Sequence, residues 1–227
     1  MLVGETIKKW LSLESAADIT ERIAVTNQCR TALDVGCGSE SPFTRLRPGV
    51  TTVGIDTNES TLLRSKQSGA HDYYIEADIL KDDIRERLPA ETGIGRVDIV
   101  GLIGVIEHLP KQLGYELLAR CEEIADKFVV LETPNGFVPQ GPEFGNEHQR
   151  HLSGWFIHDF EGLGYSVVGT TGTRYLRGQA AGLKYPYRGV GSIDVLLARA
   201  LRADRNPRHA FNLFAYKDIR GVPAILG

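Results

Sequence analysis

Disulfide staples are the first thing this sequence lacks. Its three cysteines, Cys29, Cys37 and Cys121, are odd in number and widely spaced, and none forms a CxxC pair. Reduced thiols and an intracellular, cytoplasmic setting are the expectation. The N-terminal stretch carries no long apolar core followed by a small-residue cleavage site, and no segment reaches the roughly 18 apolar residues of a membrane span. An excess of one charge is missing as well: 26 Lys and Arg face 29 Asp and Glu, a net charge of −3. Such a balance supplies no global basic field to gather nucleic acid. Repeats and low-complexity tracts are absent. What remains is a chain of 227 residues, 42% hydrophobic, long enough to bury a large core without staples.

Short apolar runs, β-branched or aromatic, punctuate the chain: TALDV (31–35), TTVGI (51–55), DYYIEA (72–77), VDIVGLIGV (97–105) and FVVLET (128–133). Near-continuous apolar runs of this length are the mark of strands buried on both faces. Helical spacing lies between them. NESTLLRSKQSG opens on the capping residue Asn58 and closes at Gly69, and PKQLGYELLARCEEIADK places Leu113, Leu117, Leu118 and Cys121 on one face. Strands alternating with helices specify βαβ crossovers and a doubly wound, mainly parallel sheet with helices on both faces.

The organisation expected is a single domain. Residues 1–28 form a helical cap, 29–134 a cofactor-binding half, and 135–227 a substrate-side half with an insert at about 172–208. In the last part, TPNGFVPQGPEFGNEHQRHLSG reads as a long loop of the functional kind, SGWFIHDFEGLG as a helix, and YSVVGTT and AFNLFAY as strands. Ile193, Leu196, Leu197, Ala200 and Leu201 form a helical stripe behind an N-cap at Ser192, read as core-facing. Laid on a membrane, the same stripe would make a peripheral contact, the less economical reading.

The chemistry begins at ALDVGCGSES, where the first strand runs into Asp34 and a turn with Gly36 and Gly38. In an open parallel sheet ligands bind beyond the carboxyl ends of the strands, so these glycines belong where backbone approaches a ligand. A dinucleotide would ask for GxGxxG and a site hospitable to pyrophosphate. Here Ser41 stands at the third glycine, and Asp34 and Glu40 flank the turn with negative charge. A cationic, phosphate-free ligand fits better, and S-adenosylmethionine is one, with Asp34 orienting its methionine portion. Asp56, about twenty residues on, is placed to accept from ribose hydroxyls, a feature shared with dinucleotide sites. Asp78, closing the third strand, is placed to accept from an adenine amino group with Ile79 on the ring.

In order and spacing, DVGCGSES, GIDTNES, EADIL, VDIVGLIGVIEHL and VVLETPNG resemble the successive motifs of the class I S-adenosylmethionine-dependent methyltransferases, small-molecule branch, over about residues 28–171. That resemblance implies a seven-stranded sheet whose last strand, AFNLFAY, is antiparallel. It implies S-adenosylmethionine as donor and S-adenosylhomocysteine as product. It assigns the donor contacts to Asp34, Gly36, Cys37, Gly38, Asp56, Thr57, Asp78, Ile79, Ile103 and Gly104. One departure stands out: the family's frequent third glycine falls on Glu40.

Glu107 and His108 follow the fourth strand, where this family reaches the transferred methyl group, and the cluster EHQRH adds His148 and His151. These four are the candidate catalytic residues. A purely structural role for the histidines stays open, and a metal is set aside because no Cys or third His lies near His148 and His151. The Asp/Asn-Pro-Pro-aromatic tetrapeptide of base-amine methylation is missing after the fourth strand, which reads IGVIEHLP. No cysteine is placed for attack on cytosine. EHL after the fourth strand and the segment HLSGWFIHDFEGLGYSV resemble the small-molecule branch instead, which implies a small-molecule acceptor (a sugar, glycan, lipid or quinone) methylated at oxygen, with no nucleic-acid partner. The alternatives left open are a nucleotide-dependent oxidoreductase or epimerase, and a methyltransferase-like binding module without activity. Arg174, Arg177, Lys184 and Arg188, interleaved with Tyr175, Tyr185 and Tyr187, are suited to clamping an anionic group or to forming a solvated lid.

Overall fold

The structure, a computed structural model, describes residues 12–39, 41–142 and 147–221. Glu40 and the first eleven residues of the expected N-terminal cap lie outside them.

Seven strands form one sheet: β1 (Thr31–Val35), β2 (Thr51–Asp56), β3 (Tyr73–Glu76), β4 (Val97–Ile103), β5 (Ala125–Pro134), β6 (Ser166–Thr173) and β7 (Ala210–Asp218). Their spatial order is β3-β2-β1-β4-β5-β7-β6. The pairs among β1 to β5 are parallel, and β7 runs antiparallel to both β5 and β6. Strand order reverses at β1, which has β2 on one side and β4 on the other, so a crevice opens beyond Val35. The glycine turn lies there.

Helices α1 (Ala16–Thr26), α2 (Glu59–Ser68), α3 (Ile84–Thr92), α4 (Lys111–Ile124), α5 (Ile157–Glu161) and α6 (Val190–Ala200) surround the sheet. Two apolar layers hold them. One packs α3, α4 and Trp155 on the face carrying Leu33, Val100 and Leu131. The other packs α1 and Phe43 against Ile99, Phe128 and Phe214. Phe43 fits because Gly101 on β4 has no side chain, and a Cβ there would run into the ring. That contact clamps the short 3₁₀ segment Pro42–Leu46 to the sheet.

Helix α2 keeps the expected ends. The Asn58 side chain accepts from the Thr61 amide, and Gly69 closes the helix in the left-handed region at φ +65°. Elsewhere the structure adds to the sequence reading or corrects it. Helix α3 lies where no helix is named above, its pattern blurred by Pro89 and a run of charges. On α4 the buried face uses Gly114 in place of Leu113, because Trp155 occupies the space beside the glycine. The helix expected across SGWFIHDFEGLG is confined to α5.

Helix α6 begins at Val190, capped by Gly189 and not by Ser192, and it buries Asp194 and Ala198. Ile193 and Leu196 are instead 57% and 55% exposed, so the stripe faces outward. The cause is Asp194, which accepts from the Thr173 amide and hydroxyl and pairs with Arg177 Nε at 2.6 Å. A satisfied buried carboxylate, not the apolar stripe, sets the rotation of this helix. Arg177 is thereby committed to α6, and Lys184 donates to the Arg174 carbonyl, so part of the basic-aromatic segment serves its own folding. Among the described residues no helix is long and apolar enough to cross a membrane.

Candidate active site

The cleft lies over the carboxyl ends of β1, β2, β3 and β4. Gly36, Gly38, Asp56, Thr57, Asp78 and Ile79 line one stretch of it, and Gly104, His108, His148 and Gln149 another. Gly36 and Gly38 sit at φ +68° and +59°, a region that side chains strain to occupy. They serve different ends. A Cβ on Gly36 would come within 2.8 Å of Val105 Cγ2, whereas one on Gly38 would meet nothing within 4 Å. Gly36 therefore allows the turn to pack on the β4 end, and Gly38 leaves bare backbone on the open side.

Asp56 ties this turn to the next. Its Oδ2 accepts from the Gly38 amide at 3.1 Å and its Oδ1 from the Asn58 amide at 2.9 Å. Each oxygen keeps a second lone pair, enough for a vicinal diol. Asp78 Oδ1 accepts from the Leu80 amide at 3.0 Å, and its Oδ2 meets Lys81 Nζ at 2.7 Å. Partial burial disfavours its charge, but the Lys81 ammonium and the Leu80 amide outweigh it and hold the carboxyl below the usual range.

Three of the expected donor contacts are placed elsewhere. Asp34 is 2% exposed and does not line the cleft; it accepts from the Ser41 hydroxyl and faces His71 Nε2 at 3.4 Å. Ser41 also accepts from the Phe43 amide, capping the 3₁₀ segment. The residue at the missing third glycine thus supplies a hydrogen bond to a buried acid and starts the next element. Cys37 points inward beside Gly54 and His71, where burial pushes its thiol far up. Ile103 packs into the second apolar layer. An acidic rim remains, built by Asp56 and Asp78 without Asp34.

At the other end, Glu107 and His108 lie in the 3₁₀ turn that follows β4 (Ile106–His108). HLSGW docks onto that turn. The Leu152 and Ser153 amides both donate to the Glu107 carbonyl, and the Ser153 hydroxyl and Trp155 Nε1 both donate to the Ile106 carbonyl. Gly154 permits the approach, since a Cβ there would lie 2.6 Å from the Phe137 amide nitrogen. Docking brings His151, 43 residues on in sequence, edge-to-face with His108 at 4.9 Å between ring centroids. Ser153 and Trp155 were missed in the sequence reading; a small-Gly-aromatic triplet next to a polar cluster was the available signal.

Burial pushes the Glu107 carboxyl up to about 7, against the opposing hydrogen bond from Thr133 Oγ1 at 3.0 Å. Burial also lowers His108, and neighbouring His151 adds to that, while the Arg150 carbonyl works the other way. His108 Nδ1 lies 3.2 Å from that carbonyl and His151 Nδ1 lies 2.7 Å from the Val138 carbonyl. A carbonyl only accepts, so both rings carry their proton on Nδ1 and, when neutral, a lone pair on Nε2. Of the four candidate catalytic residues, His108 and His148 line the cleft, and Glu107 and His151 stand behind His108.

Residues 33–125 match a family model described as a methyltransferase domain. No curated protein matches the chain. Several solved structures share the architecture. One is a magnesium protoporphyrin IX methyltransferase from Synechocystis PCC 6803 with bound SAH (TM-score 0.52, 14% identity, 89% of this chain and 80% of that one). A second is a SAM-dependent methyltransferase from Archaeoglobus fulgidus (TM-score 0.52, 15% identity, 89% and 94%). A third is the plantazolicin methyltransferase BpumL in complex with SAH (TM-score 0.52, 16% identity, 91% and 82%). At these identities the likeness is one of fold.

Proposed function

We propose, on the premise that residues 33–125 are the methyltransferase domain whose model they match, that this chain methylates an oxygen of a small-molecule acceptor with S-adenosylmethionine as donor. The observation that carries the reading is the rim itself: bare backbone at Gly38 beside the Asp56 carboxylate, with the Asp78 carboxylate, paired to Lys81, further along and no Lys or Arg among the cleft-lining residues described. Such a rim suits a cationic nucleoside and repels pyrophosphate. This argues against the oxidoreductase alternative.

When bound, S-adenosylmethionine supplies a methyl group on a sulfonium, and transfer leaves the C–S electron pair on sulfur in S-adenosylhomocysteine. The chain's own residues do the rest. Asp56 accepts from the ribose hydroxyls, and the Asp78 region with Ile79 receives the adenine. The turn at Gly104, φ +68°, carries the chain from β4 past the cleft toward His108. Glu107, His108 and His151 form the group that receives and activates the acceptor hydroxyl, whose proton must leave as the C–O bond forms. His148, exposed at the cleft mouth, completes that side.

Incubation with methyl-labelled donor and a panel of sugars, glycans, lipids and quinones tests the reading. Label appearing in one acceptor with matching S-adenosylhomocysteine supports it. A chain that binds donor yet transfers to nothing in the panel or in cell extracts is a binding module.

A further inference from the structure

The pair His148 and His151 offers a cation too few ligands in sequence, but the fold adds what the local segment lacks. One ring nitrogen each of His108 and His151 and a carboxylate oxygen of Glu107 lie within 4.8 Å of one another. We infer that Glu107, His108 and His151 form a binding site for a divalent first-row transition metal such as zinc, manganese or cobalt.

Three independent features of the geometry support the assignment. The first is ligand chemistry: two imidazoles and one carboxylate suit these ions, and three protein ligands leave positions open for an incoming oxygen. The second is the support behind the ligands. Both histidines direct Nδ1 to a main-chain carbonyl, Arg150 for His108 and Val138 for His151, the outer-shell arrangement that orients metal-bound imidazoles and fixes their tautomer. Thr133 Oγ1 donates to Glu107 Oε2 and orients the carboxylate likewise. The third is charge. Glu107 is buried, and no Lys or Arg among the described residues pairs with it. A buried carboxyl group either keeps a proton or is matched by a cation, and the ion would be that cation.

Metal–nitrogen bonds of about 2.0–2.1 Å call for ligand atoms about 3.3 Å apart, so atoms now within 4.8 Å of one another must close in by up to about 1.5 Å. His108 lines the cleft and Glu107 is buried behind it, so the ion would lie at the cleft wall. The inference deepens the reading of methyl transfer in one respect and rests on it only there: an acceptor hydroxyl bound to the ion would lose its proton to water more readily and present a metal-bound oxygen nucleophile to the donor.

Titration of the full chain with Co²⁺ alone, followed by visible absorption and by calorimetry, tests the site. One saturable equivalent is expected. His108→Ala and Glu107→Gln should each weaken it by about 10- to 100-fold or more, the order seen when ligands or their supports are removed. Because Glu107 is buried, the thermal shift given by S-adenosylhomocysteine serves as the control for folding. His108→Ala, at a half-buried position, carries the test should the Glu107 variant not fold. No saturable Co²⁺ binding, or equal binding in wild type and His108→Ala, overturns the inference. Donor binding without metal binding would leave the methyl-transfer reading standing, and metal binding without donor binding would remove that reading while leaving the site.

Discussion

Asp56 Oδ2 accepts from the Gly38 amide at 3.1 Å, so the carboxylate proposed to hold a ribose also pins the glycine turn that frames the cleft. Hydrogen bonds to charged groups contribute about 1.5–3 kcal/mol each. Asp56→Ala should therefore weaken S-adenosylhomocysteine binding by about 100-fold or more, which calorimetry would register. Asp56→Asn, which keeps one carbonyl acceptor, should lose less. Equal affinity in wild type and Asp56→Ala would remove Asp56 from the site.

The two glycines of the turn should respond differently. In Gly36→Ala the new methyl meets Val105 and the backbone is held at positive φ, so stability should fall by about 2 kcal/mol or more, read by denaturant unfolding. Adding Val105→Ala should recover the steric part. Gly38→Ala suffers only the conformational strain, about 1 kcal/mol, but its methyl projects into open cleft space, so donor affinity should drop more than stability. The reverse ordering would contradict the assignment of open space at Gly38.

Removing His108 should slow methyl transfer by about 100-fold while leaving donor affinity within a few-fold, the pattern of a group acting on the acceptor and not on the donor. Single-turnover rates alongside S-adenosylhomocysteine titration separate the two. A variant with normal turnover would return His108 to a structural role.

Trp155 anchors the segment that delivers His151. It is fully buried, stacks on Phe160 and donates to Ser153 Oγ at 2.9 Å. Trp155→Ala should cost about 3–5 kcal/mol in unfolding free energy. Trp155→Phe fills most of the volume but cannot donate to Ser153, so it should cost less in stability while still impairing turnover. Unaltered turnover in a folded Trp155→Phe protein would separate the docking from catalysis.

All three cysteines are buried and unpaired. Burial pushes the Cys29 thiol up to about 11 and the Cys37 and Cys121 thiols higher still. At pH 8 a thiol reagent should label less than one cysteine per native chain and all three on unfolding. Rapid native labelling of Cys37 would mean that the turn opens.

Much of the frame was legible because buried parallel strands write themselves as short apolar runs, and TALDV coincides with β1. Asp56 and Asp78 were legible because a charge ending such a run must face the crevice or find a partner. Asp34 took the second course, and its partners, Ser41 and His71, are supplied by separate parts of the chain, so its place away from the cleft was not legible. Helix α6 defeated the apolar stripe for a similar reason: a buried Asp194 paired with Arg177 decides its rotation, and no periodicity encodes such a pair. The meeting of Glu107 and His108 with His151 depends on main-chain hydrogen bonds from Leu152 and Ser153 to Glu107, which no local motif announces.

Titration calorimetry of S-adenosylhomocysteine and, separately, of NAD into the wild-type chain bears most directly on the acidic, phosphate-free cleft. One S-adenosylhomocysteine site per chain, lost or weakened about 100-fold in Asp56→Ala, with no heat from NAD, is the expected result. Saturable NAD binding that Asp56→Ala weakens, with no uptake of S-adenosylhomocysteine, would contradict it.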